Sequence, residues 1–242
     1  MLVLLPPSET KAAGGEGGPL DLDALSFAEL NPVRRKIADA LVDLAADVPA
    51  SLAALGLSER QGAEVERNRA LYGAPTMPAL RRYTGVLYDA LDVNSFSAAE
   101  WRRAAGRLAV ASALFGVLRA RDRVPAYRLS GGSVLPGVGS LGELWRPALE
   151  AELSTVDGLV VDLRSGAYAK LARLPTAVTV RVVTGNGVTV SHHNKAYKGR
   201  LARALAGATR PPSTVAGLLS AASAAGLRVE RTGERAVELF AE

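Results

Sequence analysis

The chain has 242 residues, 48% of them apolar and 22% charged, which is the composition of a globular domain with material for a sizeable core. It has no cysteine and only His192 and His193, which excludes disulfides, thiol nucleophiles, thiolate metal centres and histidine-rich metal sites; neither a metal nor a cofactor is expected. The net charge of +5 is uneven: ten basic residues and no acidic one lie between Asp162 and Glu230, leaving 19 basic against 24 acidic elsewhere, so one face is expected to meet a polyanion, with nucleic acid the commonest.

Leu2 to Leu5 predicts a short buried strand stopped by Pro6-Pro7. That apolar start has no basic region before it, and no run reaches 18 apolar residues. Neither a secretory leader nor a membrane span is therefore expected, and the protein is read as cytoplasmic. The glycines from Gly14 to Gly18 predict a mobile surface loop. Asn31-Pro32 predicts a helix with an N-cap and a proline at its first position, running to about Ala46. Two short helical pieces follow, broken at Leu55-Gly56-Leu57, the second opened by the capping-box pattern Ser58 to Gln61. Ser97 to Glu100 and Ser140 to Glu143 open two longer helices with the same device.

In the second half, Leu159 to Leu163 reads as a buried strand. Val178, Val180 and Val182 alternate along another, and Gly185-Asn186-Gly187 predicts a hairpin into Val188 and Val190. Helices are expected from about Asn194 to Ala208 and from Ser213 to Ala225, then a closing hairpin from Leu227 to Phe240. A helix-rich first half and a sheet-rich second half give an α+β class, with a mixed sheet and surrounding helices. One domain spanning residues 1–242 is expected, with a helical lobe near 31–95.

Chemistry is expected at several places. On the helix from Asn194, Tyr197, Leu201 and Leu205 fall on a core-facing side, and Lys195, Gly199 and Arg203 on the opposite one with Arg200 beside them. Gly199 in mid-helix either clears room for a phosphate or substrate or is incidental on a solvated basic face. Leu55-Gly56-Leu57 resembles the turn of a helix-hairpin-helix element, where backbone N–H groups around the turn, with the following helix N-terminus, hold a DNA phosphate. Leu135 to Gly139 matches such a turn more literally, but its upstream flank is a poor helix former and it reads as a loop. Ser8 and Lys11 have a Ser-x-x-Lys spacing without helical support, so a phosphate-binding loop or a structural turn is preferred to a serine nucleophile. His192-His193 enters the basic helix, and a histidine there more often bonds than catalyses. Arg119, Arg121, Arg123 and Arg128 surround Asp122, which either orients an arginine or belongs to a charged surface.

Taken together, the segments Leu4 to Lys11, Tyr83 to Tyr88, Ser112 to Arg119 with Asp122, Pro125 and Tyr127 to Leu129, Leu144-Trp145, Asp162 to Lys170, and Asn194 to Gly199 resemble the YaaA family nearly end to end. The resemblance implies a cytoplasmic α+β fold of the YaaA type, a helix-hairpin-helix-like element matched by Leu55-Gly56-Leu57, and a positively charged cleft. It also implies binding of double-stranded DNA and protection against peroxide, by limiting iron-driven damage to DNA. Ala126 departs from the family pattern, as do Asp162 and Arg164, where the family more often has Asn and Ala.

Two functions are carried forward. In the first, duplex DNA is held through its phosphates by Lys11, Gly56, Arg119, Arg128, Lys170, Lys195, Lys198, Arg200 and Arg203 in a basic cleft. In the second, the cleft belongs to an enzyme acting on a small anionic or nucleotide-like substrate, with Ser8, Lys11, Tyr168, Lys170 and His193 as catalytic candidates. A deep pocket favours the enzyme and an open basic groove favours DNA.

Overall fold

The computed structural model describes residues 1–184 and 191–241, the side chains of 191–193 excepted. The predicted hairpin at 185–190 and the side chain of His193 lie outside the described residues.

In chain order, strand β1 (Leu2–Leu5) leads through a long loop to helices α1 (Asn31–Leu44), α2 (Val48–Leu55) and α3 (Gly62–Arg69). Next come the short β2 (Met77–Pro78), α4 (Ala79–Arg82), α5 (Val86–Leu91) and α6 (Ala98–Arg107). Strands β3 (Leu108–Ser112), β4 (Gly116–Arg119), β5 (Arg123–Val124), β6 (Val134–Leu135) and β7 (Gly139–Ser140) follow, and then α7 (Leu141–Ser154). The chain ends with β8 (Val160–Asp162), α8 (Gly166–Lys170), β9 (Val178–Thr184), α9 (Ser191–Gly207), α10 (Val215–Ala224), β10 (Val229–Gly233) and β11 (Ala236–Ala241).

Seven strands form one mixed sheet in the order β10-β11-β9-β8-β1-β3-β4. The five inner strands run parallel, and β10 and β4 are antiparallel at the edges. Leu2, Val3, Leu4 and Leu5 are all buried, the continuous apolar run that a strand covered on both faces requires. Strands from both halves of the sequence share this sheet, because β1, which carries β3 and then β4 on one side, pairs with β8 on the other. The mixed sheet with surrounding helices is consistent with the expected α+β class, although the helix-rich and sheet-rich halves of the sequence do not separate in space. From β1 the chain crosses to β3 on one side. It returns with β8 on the other side and continues outward through β9 and β11. The loops leaving β1 and β8 thus diverge, opening a crevice at the carboxyl ends of these two strands, where open α/β sheets place their ligands.

Many basic residues are internal. The fully buried Arg34 donates to the carbonyls of Phe115 (3.0 Å), Ser26 (2.8 Å) and Val117 (3.0 Å) and to Asn31 Oδ1 (2.8 Å). Burial pushes its guanidinium down to about 10. Arg82 likewise holds the carbonyls of Val124, Ala12, Gly14 and Pro75. Arg107 collects the carbonyls at the C-terminal end of α9, those of Leu205, Ala206, Ala208 and Thr209. Part of the positive charge counted in the sequence is thereby used to join loops and helix ends to the core.

Several local expectations change. The glycine loop is tied down: Gly17 N donates to Thr76 O (2.9 Å), and Arg82 holds Gly14 O (2.8 Å). The box at Ser97 and Glu100 forms, and Gln61 accepts from Ser58 as expected. Ser140 precedes α7 without making a side-chain cap. Asn31 is the first residue of α1, and Leu30 occupies the cap position.

Candidate functional site

The crevice at β1 and β8 deepens into a cavity of about 490 Å³. Its walls come from the loop after β1 (Pro6 to Thr10), the start of α5 (Thr84 to Tyr88), the turn after β8 (Ser165, Tyr168) and α9 (Asn194, Lys195, Lys198). The elements are locked together. Tyr88 Oη donates to Pro6 O (2.9 Å), Thr84 N donates to Ser8 Oγ (3.1 Å), and Lys198 Nζ donates to Leu163 O (2.8 Å). The lining is mostly apolar with a few convergent polar groups, the usual character of a small-molecule site. Asn194 Oδ1 is buried behind this lining and has no hydrogen-bond partner among the described residues.

Beside the cavity lies a second polar cluster. Lys11, 9% exposed, donates to the carbonyls of Ser8 (3.2 Å) and Glu9 (3.4 Å), and its ammonium sits 4.2 Å from the Tyr127 ring centre and 5.3 Å from that of Tyr83. Burial pushes it down to about 8, partly opposed by the negative charge of Glu9. Tyr83, Tyr127 and Ser112 form a buried chain of hydroxyls with 2.8 Å links. Burial holds the Tyr83 phenol up at about 12 and Tyr127 well above the usual range. Arg128 pairs with Glu9 at 3.3 Å. The cluster can bind, position and store a proton next to a ligand.

Of the residues singled out from sequence, Ser8, Tyr168, Lys195 and Lys198 line the cavity, and Lys11 and Arg128 adjoin it. Ser8 Oγ donates to Thr10 O (2.5 Å) while accepting from Thr84 N, so this hydroxyl stabilises a turn rather than standing ready as a nucleophile. Lys198 is buried, and its hydrogen bond to Leu163 O faces inward, away from any phosphate backbone. Burial lowers its pKa, and Asp162 opposes that shift.

The other candidates are dispersed. Arg119 pairs with Ala109 near the start of β3, at the opposite end of the sheet, and stacks on Phe27. Asp122 accepts from the backbone N of Arg119 (2.8 Å) and from Ser26, so it shapes a turn rather than orienting a guanidinium. Arg203 donates to Leu91 O (2.9 Å), Asp92 O (2.9 Å) and Ser95 Oγ (2.7 Å), closing the end of α5. Gly199 clears no space for a phosphate: a Cβ there would fall on the carbonyl oxygen of Leu87 and lie 2.9 Å from Ala90 Cβ. Lys170 is exposed on a separate shallow depression with Arg146 and Glu143. Arg200 is exposed and stacks on Tyr197. Gly56 has φ +63° and ends α2, with its own N–H on Ala53 O and that of Leu57 on Leu52 O. Two of the turn's N–H groups, those of Gly56 and Leu57, are thus engaged in closing a helix. Among the described residues no His, Asp or Glu cluster of three or more is arranged to hold a metal. No helix among them is long and apolar enough to cross a membrane.

A family model described as "Peroxide stress protein YaaA" matches residues 1–232. The chain belongs to the peroxide stress protein YaaA family. Its similarity to curated relatives is also end to end: a UPF0246 protein of Corynebacterium efficiens is 49% identical over 239 residues, covering 95% of both chains. A UPF0246 protein of Streptomyces coelicolor is 45% identical over 239 residues, 95% of this chain and 92% of the relative. An uncharacterised protein of Campylobacter jejuni is 28% identical over 209 residues. Within this YaaA family member, Thr84, Tyr88, Ser165 and Asn194 are among the cavity residues that sequence reasoning did not single out. They sat inside quoted family segments, but nothing in their residue types marks them as chemical.

Proposed function

We propose that this YaaA family member serves the peroxide stress response by binding, and acting on, a small anionic ligand in the crevice between β1 and β8. The observation that carries this reading is the cavity of about 490 Å³ at the sheet's topological switch point, with the exposed Lys195 on its lining. Sequence-independent phosphate contacts need no cavity of this volume. The test is thermal stabilisation by a panel of small phosphates and carboxylates. At least one should raise the melting temperature of the wild type and fail to raise that of Lys195→Ala; a panel without effect on the wild type removes the reading.

A second reading is binding of duplex DNA, favoured by the exposed cations Lys195 and Arg200 on α9 and Lys170 and Arg173 around the end of α8. Against it, Arg164 and Lys198 are buried, and Arg181, Arg203 and Arg228 each pair with an acidic residue. Half of the acid-free stretch is therefore committed within the molecule. The helix-hairpin-helix part of this reading would need donors other than Gly56 and Leu57. Anisotropy of a labelled 20-base-pair duplex at low and moderate salt tests it: affinity falling steeply with salt supports it, and no binding at low salt removes it.

A further inference from the structure

We propose that Arg128 is the seat for the ligand's carboxylate or phosphate group, and that the carboxylate of Glu9 is a tethered competitor for the same guanidinium. This assignment rests on the small-anion reading above and names the residue that receives the anion and the one that guards it.

Among the described residues that line the cavity, Glu9 is the acidic one. Its Oε2 stands 3.3 Å from Arg128 Nη2, and its carbonyl accepts from Lys11 Nζ (3.4 Å). Burial dominates the downward shift at Lys11, Glu9 opposes it and Arg128 adds to it, so the three charges lie in one another's field. One carboxylate therefore sits between two cations at the wall of a cavity read as an anion site. It has the chemistry of the anionic group such a ligand carries. A guanidinium takes carboxylate and phosphate oxygens alike, through its planar fork of N–H donors.

The two partners are held differently. The backbone of Arg128 is clamped by the buried Asn68, whose Oδ1 accepts from its N–H (2.7 Å) and whose Nδ2 donates to its carbonyl (2.9 Å). Tyr127 and Leu129 on either side are buried, while the Arg128 side chain keeps 20% of its surface open. Its guanidinium is thus fixed on the scaffold and still reachable. Glu9 belongs to the loop after β1, and its side chain is 46% exposed. It can swing aside about its own side-chain torsions, because Ser8 Oγ and Lys11 Nζ hold the loop's backbone independently of it. The pair is also loose. The buried Asp162–Arg164 pair closes through two bonds of 2.9 and 2.8 Å, whereas Glu9 and Arg128 meet at 3.3 Å. Half-exposed ion pairs are weak, so an incoming oxyanion competes on favourable terms.

The test is isothermal titration of the full chain with succinate and with inorganic phosphate at low salt. The proteins compared are the wild type, Glu9→Gln, Arg128→Met, the double variant, Lys195→Ala and Glu64→Gln. Glu64 pairs with Arg67 (2.7 Å) and also acts on Lys11, but it does not line the cavity. Its variant therefore reports the effect of losing one nearby negative charge. At least one anion should bind Glu9→Gln about tenfold more tightly than the wild type, which corresponds to a seat that Glu9 leaves open about a tenth of the time. Glu64→Gln should bind like the wild type. Arg128→Met should weaken binding by about tenfold or more, and adding Glu9→Gln to it should restore nothing. The anion that responds, succinate or phosphate, identifies which oxyanion the seat takes. A gain from Glu9→Gln that persists without Arg128, or that Glu64→Gln matches, would overturn the assignment. Binding that depends on Lys195 but on neither Glu9 nor Arg128 would overturn it while leaving the anion pocket standing. No binding of either anion by the wild type or by Glu9→Gln would also overturn it, and the wider panel above then decides the pocket itself.

Discussion

The carbonyl oxygen of Leu87 occupies the space where a side chain on Gly199 would begin, so α5 and α9 meet backbone to backbone. Both helices also line the cavity, so their spacing sets its width. Gly199→Ala gains about 1 kcal/mol of helix propensity but forces the helices apart, an overpacking cost of about 1–3 kcal/mol. Urea denaturation should show a net loss of stability, and ligand affinity should fall with it. An unchanged or raised midpoint would mean that the helices separate freely.

Arg203 and Lys195 are predicted to separate structure from binding. Arg203→Ala removes three hydrogen bonds that close α5 and should cost about 1–3 kcal/mol. Lys195→Ala, at an exposed position, should change stability by no more than about 0.5 kcal/mol. If the duplex is bound at all, the slope of log affinity against log salt should respond to Lys195 and not to Arg203. Equal effects on the slope would return Arg203 to the binding surface.

Asp162 and Arg164 form a buried bidentate pair, with Oδ1 to Nε at 2.9 Å and Oδ2 to Nη2 at 2.8 Å. Asp162→Asn alone leaves a buried guanidinium uncompensated and should cost about 3–5 kcal/mol. Asp162→Asn with Arg164→Ala should cost less than the single change, because both charges leave together. A double-mutant cycle on denaturation midpoints reads the coupling, and additive losses would refute it.

Lys11 should make stability rise with pH. Its folded pKa of about 8 lies below its ordinary value of 10.5 because burial disfavours the charge. Between these values the unfolded chain holds more protons than the folded one, so unfolding free energy increases as pH goes from about 8 to 10.5. The increment is lost as pH falls through 8. The difference in denaturation free energy between wild type and Lys11→Met, followed from pH 7 to 10.5, should move in favour of the wild type. A flat difference would place the ammonium in solvent.

Most elements were legible in the sequence because they depend on neighbours in the chain. The four-residue apolar run predicted β1, the Ser97 and Glu100 pair predicted the start of α6, and the spacing of Leu201 and Leu205 predicted the buried face of α9. Gly199 and Arg203 were misread as a ligand-facing strip for one reason: the face opposite the sheet is covered by α5 rather than by water. Helical periodicity gives the angle between side chains but not what stands across from them.

The sequence by itself determined the absence of thiol chemistry, the types of the elements with strong local signals, the family resemblance and the surplus of basic charge, but not the sheet strands β3 and β4. Only the tertiary structure decided where that charge goes: into the core with Arg34 and Arg82, onto helix ends with Arg107 and Arg203, and to a cavity rim with Lys195. It also brought Ser8, Tyr168 and Asn194 together from three distant segments. The physical reason is that composition and periodicity are local properties of the chain. The crevice arises instead from strand order, when β8 returns beside β1 and their loops turn away from each other.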